Sequence, residues 1–439
     1  MRSLSGASML LLTLNAQAQT PIQNPFWLLT NNPPVMVKHG TLSNQTVNPP
    51  FSNPTQNPPP PNNYPQFDVR TTSSNGEFDR CGTSIFYICK DDVFNAQGIS
   101  IGNLELKDRV FKWNNPSVLW DFPEPTPWLT ENFEAPIMKV PGAANAGKYY
   151  LLYSDCRPFA SALYIATYDS NSGVLLQADN LSPSRYETAA PQFRMAISKP
   201  EITGTQYIYL ADRLNSVSRI VVSGAGAINE PEEILPPNGE YGPLAPELEL
   251  SHDGKQLAWA INNGETAMIH VYDMSTEEHI TLDFIPILDV HGLEFLPDGR
   301  LAVAATWQPG LTSANGVCIF NASFTGLSTV PGTAARATGM IELGANGMLL
   351  YANNGSQLAA IQVSTLSLAS GYSVTASSSS LSSPFSSSGS WVSGALPDQI
   401  DGGFYVDPST CPSNPGGTNR LIFPIESQPE TENEASSDQ

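Results

Sequence analysis

Three glutamates occupy the same place in a recurring pattern. Glu249, Glu294 and Glu342 each stand five residues before a glycine (Gly254, Gly299 and Gly347) that closes a short polar turn. Carboxylates brought together repel, so they either share protons or hold a cation. Ca²⁺ prefers several oxygen ligands at once. If the repeats that carry them surround a common centre, these three residues form a candidate Ca²⁺ site. The competing expectation is simpler. Glutamate alternates with Leu250, Phe295 and Leu343 because one face of each strand meets water.

Other reactive side chains are thinly spread. The five histidines, His39, His252, His270, His279 and His291, form no HxH or HExxH pattern. Zinc or haem binding therefore has no motif behind it. Asp289 and His291 are two apart, but on a strand such residues share a face by default. No GxSxG nucleophile elbow is present, so no catalytic residue is assigned. Cys81 and Cys89 flank one expected hairpin and are the candidate disulfide among five cysteines, an odd number that leaves a thiol over. Cys318 reads equally well as a buried small hydrophobe.

Aromatic residues are the stronger candidates for recognition. Trp113, Trp120 and Trp128 lie in one insertion, WNNPSVLWDFPEPTPW. Tryptophan is favoured at interface hot spots, though these three could equally cap the apolar top of a repeat. Phe26 and Trp27 begin a second apolar patch, followed by Leu28 and Leu29.

The elements that position these residues recur. LELSHDGKQLAWAI (248–261), LEFLPDGRLAVAAT (293–306) and MIELGANGMLLYAN (340–353) each join two alternating strands through Asp-Gly or Asn-Gly. Such turns need positive φ and are strong hairpin signals. A third strand follows each: MIHVYDM, VCIFNAS and LAAIQVS. Weaker copies begin at Gly82, Gly147, Gly204 and Gly402, giving spacings of 65, 57, 50, 45, 48 and 55 residues between the seven glycines. A period of three or four short strands per unit predicts an all-β fold, a β-propeller of seven blades, with six or eight also fitting.

The ends differ in composition. Arg2, the apolar Met9–Leu12 run and Ala16-Gln17-Ala18 predict a signal peptide over 1–18. Residues 19–75 are Pro/Asn-rich without sustained periodicity and are expected to form an extended arm. The propeller is expected over 76–425, and the acidic 426–439 segment as a disordered tail. Net charge is −21 and charged residues make up only 14%. That balance disfavours nucleic acid and anionic membranes and permits cationic partners. No stretch is long and apolar enough to predict a transmembrane segment.

The central copies, SHDGKQLAWA (251–260) and LPDGRLAVA (296–304), resemble the WD40-like and YVTN-type propeller repeats of secreted bacterial proteins. VPGAANAGKYYLLYSD (140–155), TGMIELGANGMLLYANNGSQLAAI (338–361) and LPDQIDG (396–402) are similar to propeller regions of type IX-secreted surface proteins. Those proteins carry an immunoglobulin-like sorting domain where this sequence has an acidic tail. His252 stands where the family often has proline, so it is expected to face solvent. The resemblance implies a propeller on or outside the cell, in adhesion or surface display. The resulting expectation is a non-catalytic extracellular binding or assembly propeller that recognises protein or glycan, with self-association through the arm. The alternative is a secreted propeller hydrolase or lyase with its site at the channel mouth. No cofactor beyond Ca²⁺ is indicated.

Overall fold

A computed structural model describes residues 26–29, 35–38, 45–47, 75–78, 84–89, 92–96, 100–103, 136–155, 162–180, 193–212, 214–237, 244–262, 266–282, 287–307, 316–333, 337–344, 348–353 and 357–375. Its elements are almost entirely β-strands. First comes a three-stranded antiparallel sheet of β1 (Phe26–Leu29), β2 (Val35–Lys38) and β3 (Gln45–Val47). Six four-stranded sheets follow, and we number them as blades in chain order.

The first blade is β4 (Asn75–Phe78), β5 (Ser84–Cys89), β6 (Asp92–Asn95) and β7 (Ser100–Asn103). The second is β8 (Ile137–Lys139), β9 (Lys148–Asp155), β10 (Ala162–Asp169) and β11 (Val174–Asn180). The third is β12 (Phe193–Ile197), β13 (Gln206–Asp212), β14 (Val217–Val222) and β15 (Glu232–Leu235). The fourth is β16 (Leu244–Leu250), β17 (Gln256–Asn262), β18 (Ala267–Asp273) and β19 (Glu278–Leu282). The fifth is β20 (Ile287–Phe295), β21 (Leu301–Trp307), β22 (Gly316–Phe320) and β23 (Leu327–Thr329). The sixth is β24 (Ala337–Leu343), β25 (Met348–Asn353), β26 (Gln357–Gln362) and β27 (Ser367–Thr375).

Every blade is a simple antiparallel meander, each strand pairing with the next in sequence. First strands of successive sheets lie beside one another: β1 by β4, β4 by β8, β12 by β16, β16 by β20 and β20 by β24. That order places the first strands innermost, and the fold is a β-propeller. The hairpin signals act locally as expected. Gly254 and Gly299 have φ of 74° and 83°, the left-handed region that glycine enters without a Cβ clash.

Apolar side chains fill the gaps between blades. One cluster joins Ala258, Ile269 and Val271 of the fourth blade to Val290, Leu293, Phe295 and Val303 of the fifth. Another joins Ala302, Ala304 and Ile319 of the fifth to Ile341, Leu349 and Ile361 of the sixth. Tyr209 and Val217 of the third meet Leu248, Trp259 and Ile261 of the fourth. The core is thus a series of slices, each closed only when two blades meet, as expected of units that cannot bury both faces alone.

The Pro/Asn-rich segment holds more regular structure than its composition suggests. Phe26 pairs with Lys38 and Leu29 with Val35, and Lys38 then pairs with Gln45. Strands of three or four residues are too short to leave a period of two in the sequence. The Gly402 repeat, the tail and the signal segment lie outside the described residues.

Candidate cation centre at the propeller axis

The turn that ends each inner strand sets the register of the glutamates. Ser251 N–H donates to Gln256 O, Leu296 N–H to Arg300 O and Gly344 N–H to Met348 O, at 2.8, 2.8 and 2.7 Å. Glu249, Glu294 and Glu342 each lie two residues before that closure. They pair across the hairpin with Ala258, Ala302 and Leu350. Equivalent places on three adjacent inner strands bring one carboxylate oxygen of each within 4.8 Å of the others. All three are buried, at 3%, 4% and 3% exposure. Little of their surface is left to meet water along the axis.

The cluster is one-sided, and the register explains why. In the third blade Ser198 N–H donates to Tyr207 O, and two residues earlier stands Ala196. In the second blade Val140 N–H donates to Lys148 O, and two residues earlier stands Met138. Both are fully buried. The fourth, fifth and sixth blades carry carboxylates at this level, and the second and third carry apolar groups.

One level further along the axis, the packing is tighter still. Glu247 is 1% exposed, and its Oε2 accepts the Leu293 N–H of the next blade. A Cβ on Gly292 would come within 2.7 Å of that oxygen and of Ile341 N. Only glycine lets three inner strands approach this closely. Arg194, 1% exposed, stands four residues before Ser198, the place that Glu247 takes before Ser251. Neither Arg194 nor Glu247 was singled out as a site residue by pattern. Arg194 reads as a surface cation in the sequence, yet it is buried in the fold.

Comparison with known proteins adds fold-level likeness only. No family model matches the chain, and no curated protein matches it in sequence. Among solved structures, it is similar to the Dos1 propeller at 9% identity and a TM-score of 0.41, covering 78% of this chain and 84% of that one. The structure of YCF48 bound to D1 peptide is similar at 11% identity and TM-score 0.35, covering 54% of this chain and 66% of that one. The nidogen/laminin complex is similar at 14% identity and TM-score 0.35, covering 51% and 74%. The fold assignment rests on the strand order given above.

The remaining expected sites separate. Trp113, Trp120 and Trp128 lie outside the described residues, as does Cys81. Cys89 ends β5, and Phe26 and Trp27 begin β1, where the backbone alone is described. Cys318 is fully buried with its Sγ 3.7 Å from Val303 O, and burial pushes the thiol far above its ordinary range. It is a packing residue and not a nucleophile.

His252 does not face solvent as its turn position suggested. Its Nε2 lies 3.0 Å from Phe295 O of the fifth blade, and Lys199 of the third donates to its carbonyl at 3.0 Å. It bridges three blades at the turn side, and burial lowers its pKa. A cluster around the buried His270 was not singled out by pattern. Trp259 Nε1 donates to Asn215 Oδ1 at 2.7 Å, which fixes that amide so that its Nδ2 faces His270 Nδ1 at 3.5 Å. His279 Nε2 and Thr281 Oγ1 each lie 3.3 Å from the same nitrogen. Trp259 stacks on both imidazoles, with centroids 5.3 and 5.6 Å away.

Proposed function

We propose that the protein is a non-catalytic, extracellular or cell-surface propeller whose axis is tied together by a bound cation and whose exposed faces bind protein or glycan partners. The observation that carries this reading is the burial of Glu249, Glu294 and Glu342 at the meeting point of three inner strands. Walled in so deeply, they are poor groups for meeting a substrate. Their mutual repulsion favours any state that brings a cation to the centre, and three carboxylates match the oxygen preference of Ca²⁺. A rigid ring then leaves loops and blade faces free for contacts. In this reading the ring has seven blades, the β1–β3 sheet beside β4 being one of them. The net charge of −21 favours partners with cationic patches. The export signal and the tryptophan-bearing insertion belong to the same proposal, whereas the N-terminal arm, through its β1–β3 sheet, is here part of the ring and not a self-association element.

Calcium titration tests the centre. Saturating Ca²⁺ is expected to raise the melting temperature by roughly 5 °C, since occupancy at about a hundred times the dissociation constant contributes about 2.7 kcal/mol. Glu294→Gln should remove most of that shift while leaving a folded protein. An unchanged melting curve in millimolar Ca²⁺ would discard the cation. Fractionation of the native host tests the location: the full chain should appear in the medium or on the surface, and a cytoplasmic pool would overturn that half of the proposal.

A further inference from the structure

The outermost strand of a blade leaves one side of its backbone without a strand partner, and most of those described here are protected in some way. β7 has only four residues and β23 only three. β15 carries the exposed Glu232 and Glu233, and β19 starts with the exposed Glu278. β27 is longer but loses register with β26 between Leu368 and Ser373. β11 is different. It runs for seven residues, pairs only with β10 among the described residues and carries no charge before Asp179. Its one irregularity is an extra residue between Leu176 and Asp179, beyond the apolar start of the strand.

Alternation gives this strand two unlike faces. Leu175 packs against the first blade, where a Cβ on Gly102 would come within 2.8 Å of its Cδ2. Val174 and Leu176 lie on the other face and stay 46% and 55% exposed. Aliphatic groups beside an open row of N–H and C=O groups match what an added strand uses. Main-chain bonds supply affinity, and pockets for alternate side chains supply specificity. Carboxylates bracket the pair. Asp169 stands across from Val174, and Asp179 follows near the other end, across from Ile165. The Asn171 N–H donates to Asp169 at 2.9 Å and lowers its pKa, which keeps this exposed carboxylate charged.

We propose that β11 is a docking edge for an extended segment of a partner protein, with aliphatic residues at alternate positions and Lys or Arg at its ends. The occupant is a strand because only a strand matches the row of backbone groups. Its charge follows from Asp169 and Asp179 and from the net −21, which also sets a second copy of this chain at a disadvantage. The inference rests on the reading of protein-binding faces above and is independent of the axial cation.

A fluorescein-labelled Lys-Thr-Val-Thr-Val-Thr-Lys peptide tests it by fluorescence anisotropy with the full-length protein. Saturable binding is expected, and Leu176→Lys should weaken it at least about tenfold through lost apolar contact and like charge. Leu176 is exposed, so the variant should melt as the wild type does. Pro-Pro in place of the central Val-Thr of the peptide should abolish binding, since it removes a ladder donor in either register. Hydrogen exchange of the Val174–Asn180 amides should slow when the peptide binds. No saturable binding up to about 1 mM peptide overturns the proposal. Binding that persists in Leu176→Lys, or with the proline peptide, also overturns it. A wild-type dimer in sedimentation that Leu176→Lys dissociates assigns the edge to a second copy and overturns it too. A missing Ca²⁺ shift beside intact peptide binding counts against the axial cation alone.

Discussion

Trp259→Ala is expected to lower stability by about 3–5 kcal/mol, a drop of roughly 4–7 °C in melting temperature. The side chain has no exposure and is the largest fully buried one described. It sits on β17 in the slice between the third and fourth blades, beside Tyr209, Val217 and Ile261. Alanine there leaves a cavity that the β-sheets on either side cannot collapse to fill. It also removes the donor to Asn215 Oδ1 and one face of the stack on His270 and His279. Trp259→Phe separates the two effects. It keeps most of the packing but loses the indole N–H, and about 1–3 kcal/mol is expected from that loss. Thermal melts and denaturant titrations of both variants check the order. Equal stability of Trp259→Ala and wild type would refute the inter-blade account of the core.

The second large effect is acid sensitivity through His270. Burial, and then the neighbouring His279, push its pKa down to about 3. The unfolded chain takes up this proton near pH 6.5, whereas the folded chain resists it until about pH 3. The stability from keeping this imidazole neutral is therefore fully present above pH 6.5. It declines as pH falls and is lost below about 3, with a total on the order of 5 kcal/mol.

His270→Gln should flatten the fall in unfolding free energy between about pH 6.5 and 4.5. His252 and His291, whose pKa values are also lowered, contribute with the same sign in both proteins and cancel in the difference. The carboxylates of Asp169, Asp253, Asp273 and Asp298 lie below their ordinary value and act lower in pH. Urea titrations at several pH values measure the slope. Parallel slopes for variant and wild type would remove His270 as the cause.

The two histidine clusters show where sequence reading stops. His270 and His279 are nine residues apart on paired strands, and a hairpin register could bring them near. Asn215 comes from another blade, 55 residues from His270. Nothing local announces that contact, nor the burial that lowers the His270 pKa. The Asp289–His291 pair was visible as a spacing, but its geometry depends on a bulge held by Asn262, 28 residues away.

By itself, the amino-acid order determined the hairpins, their repetition and the equivalence of Glu249, Glu294 and Glu342. Each of these depends on interactions within about ten residues: alternation along a strand, and a glycine where the backbone must turn with positive φ. Tertiary structure alone decided that the three carboxylates meet, that Arg194 and Glu247 are buried and that His252 bridges blades. Those outcomes need surfaces more than forty residues apart to pack together. Such packing is set by the shape of whole sheets closing on one another, which no local pattern encodes.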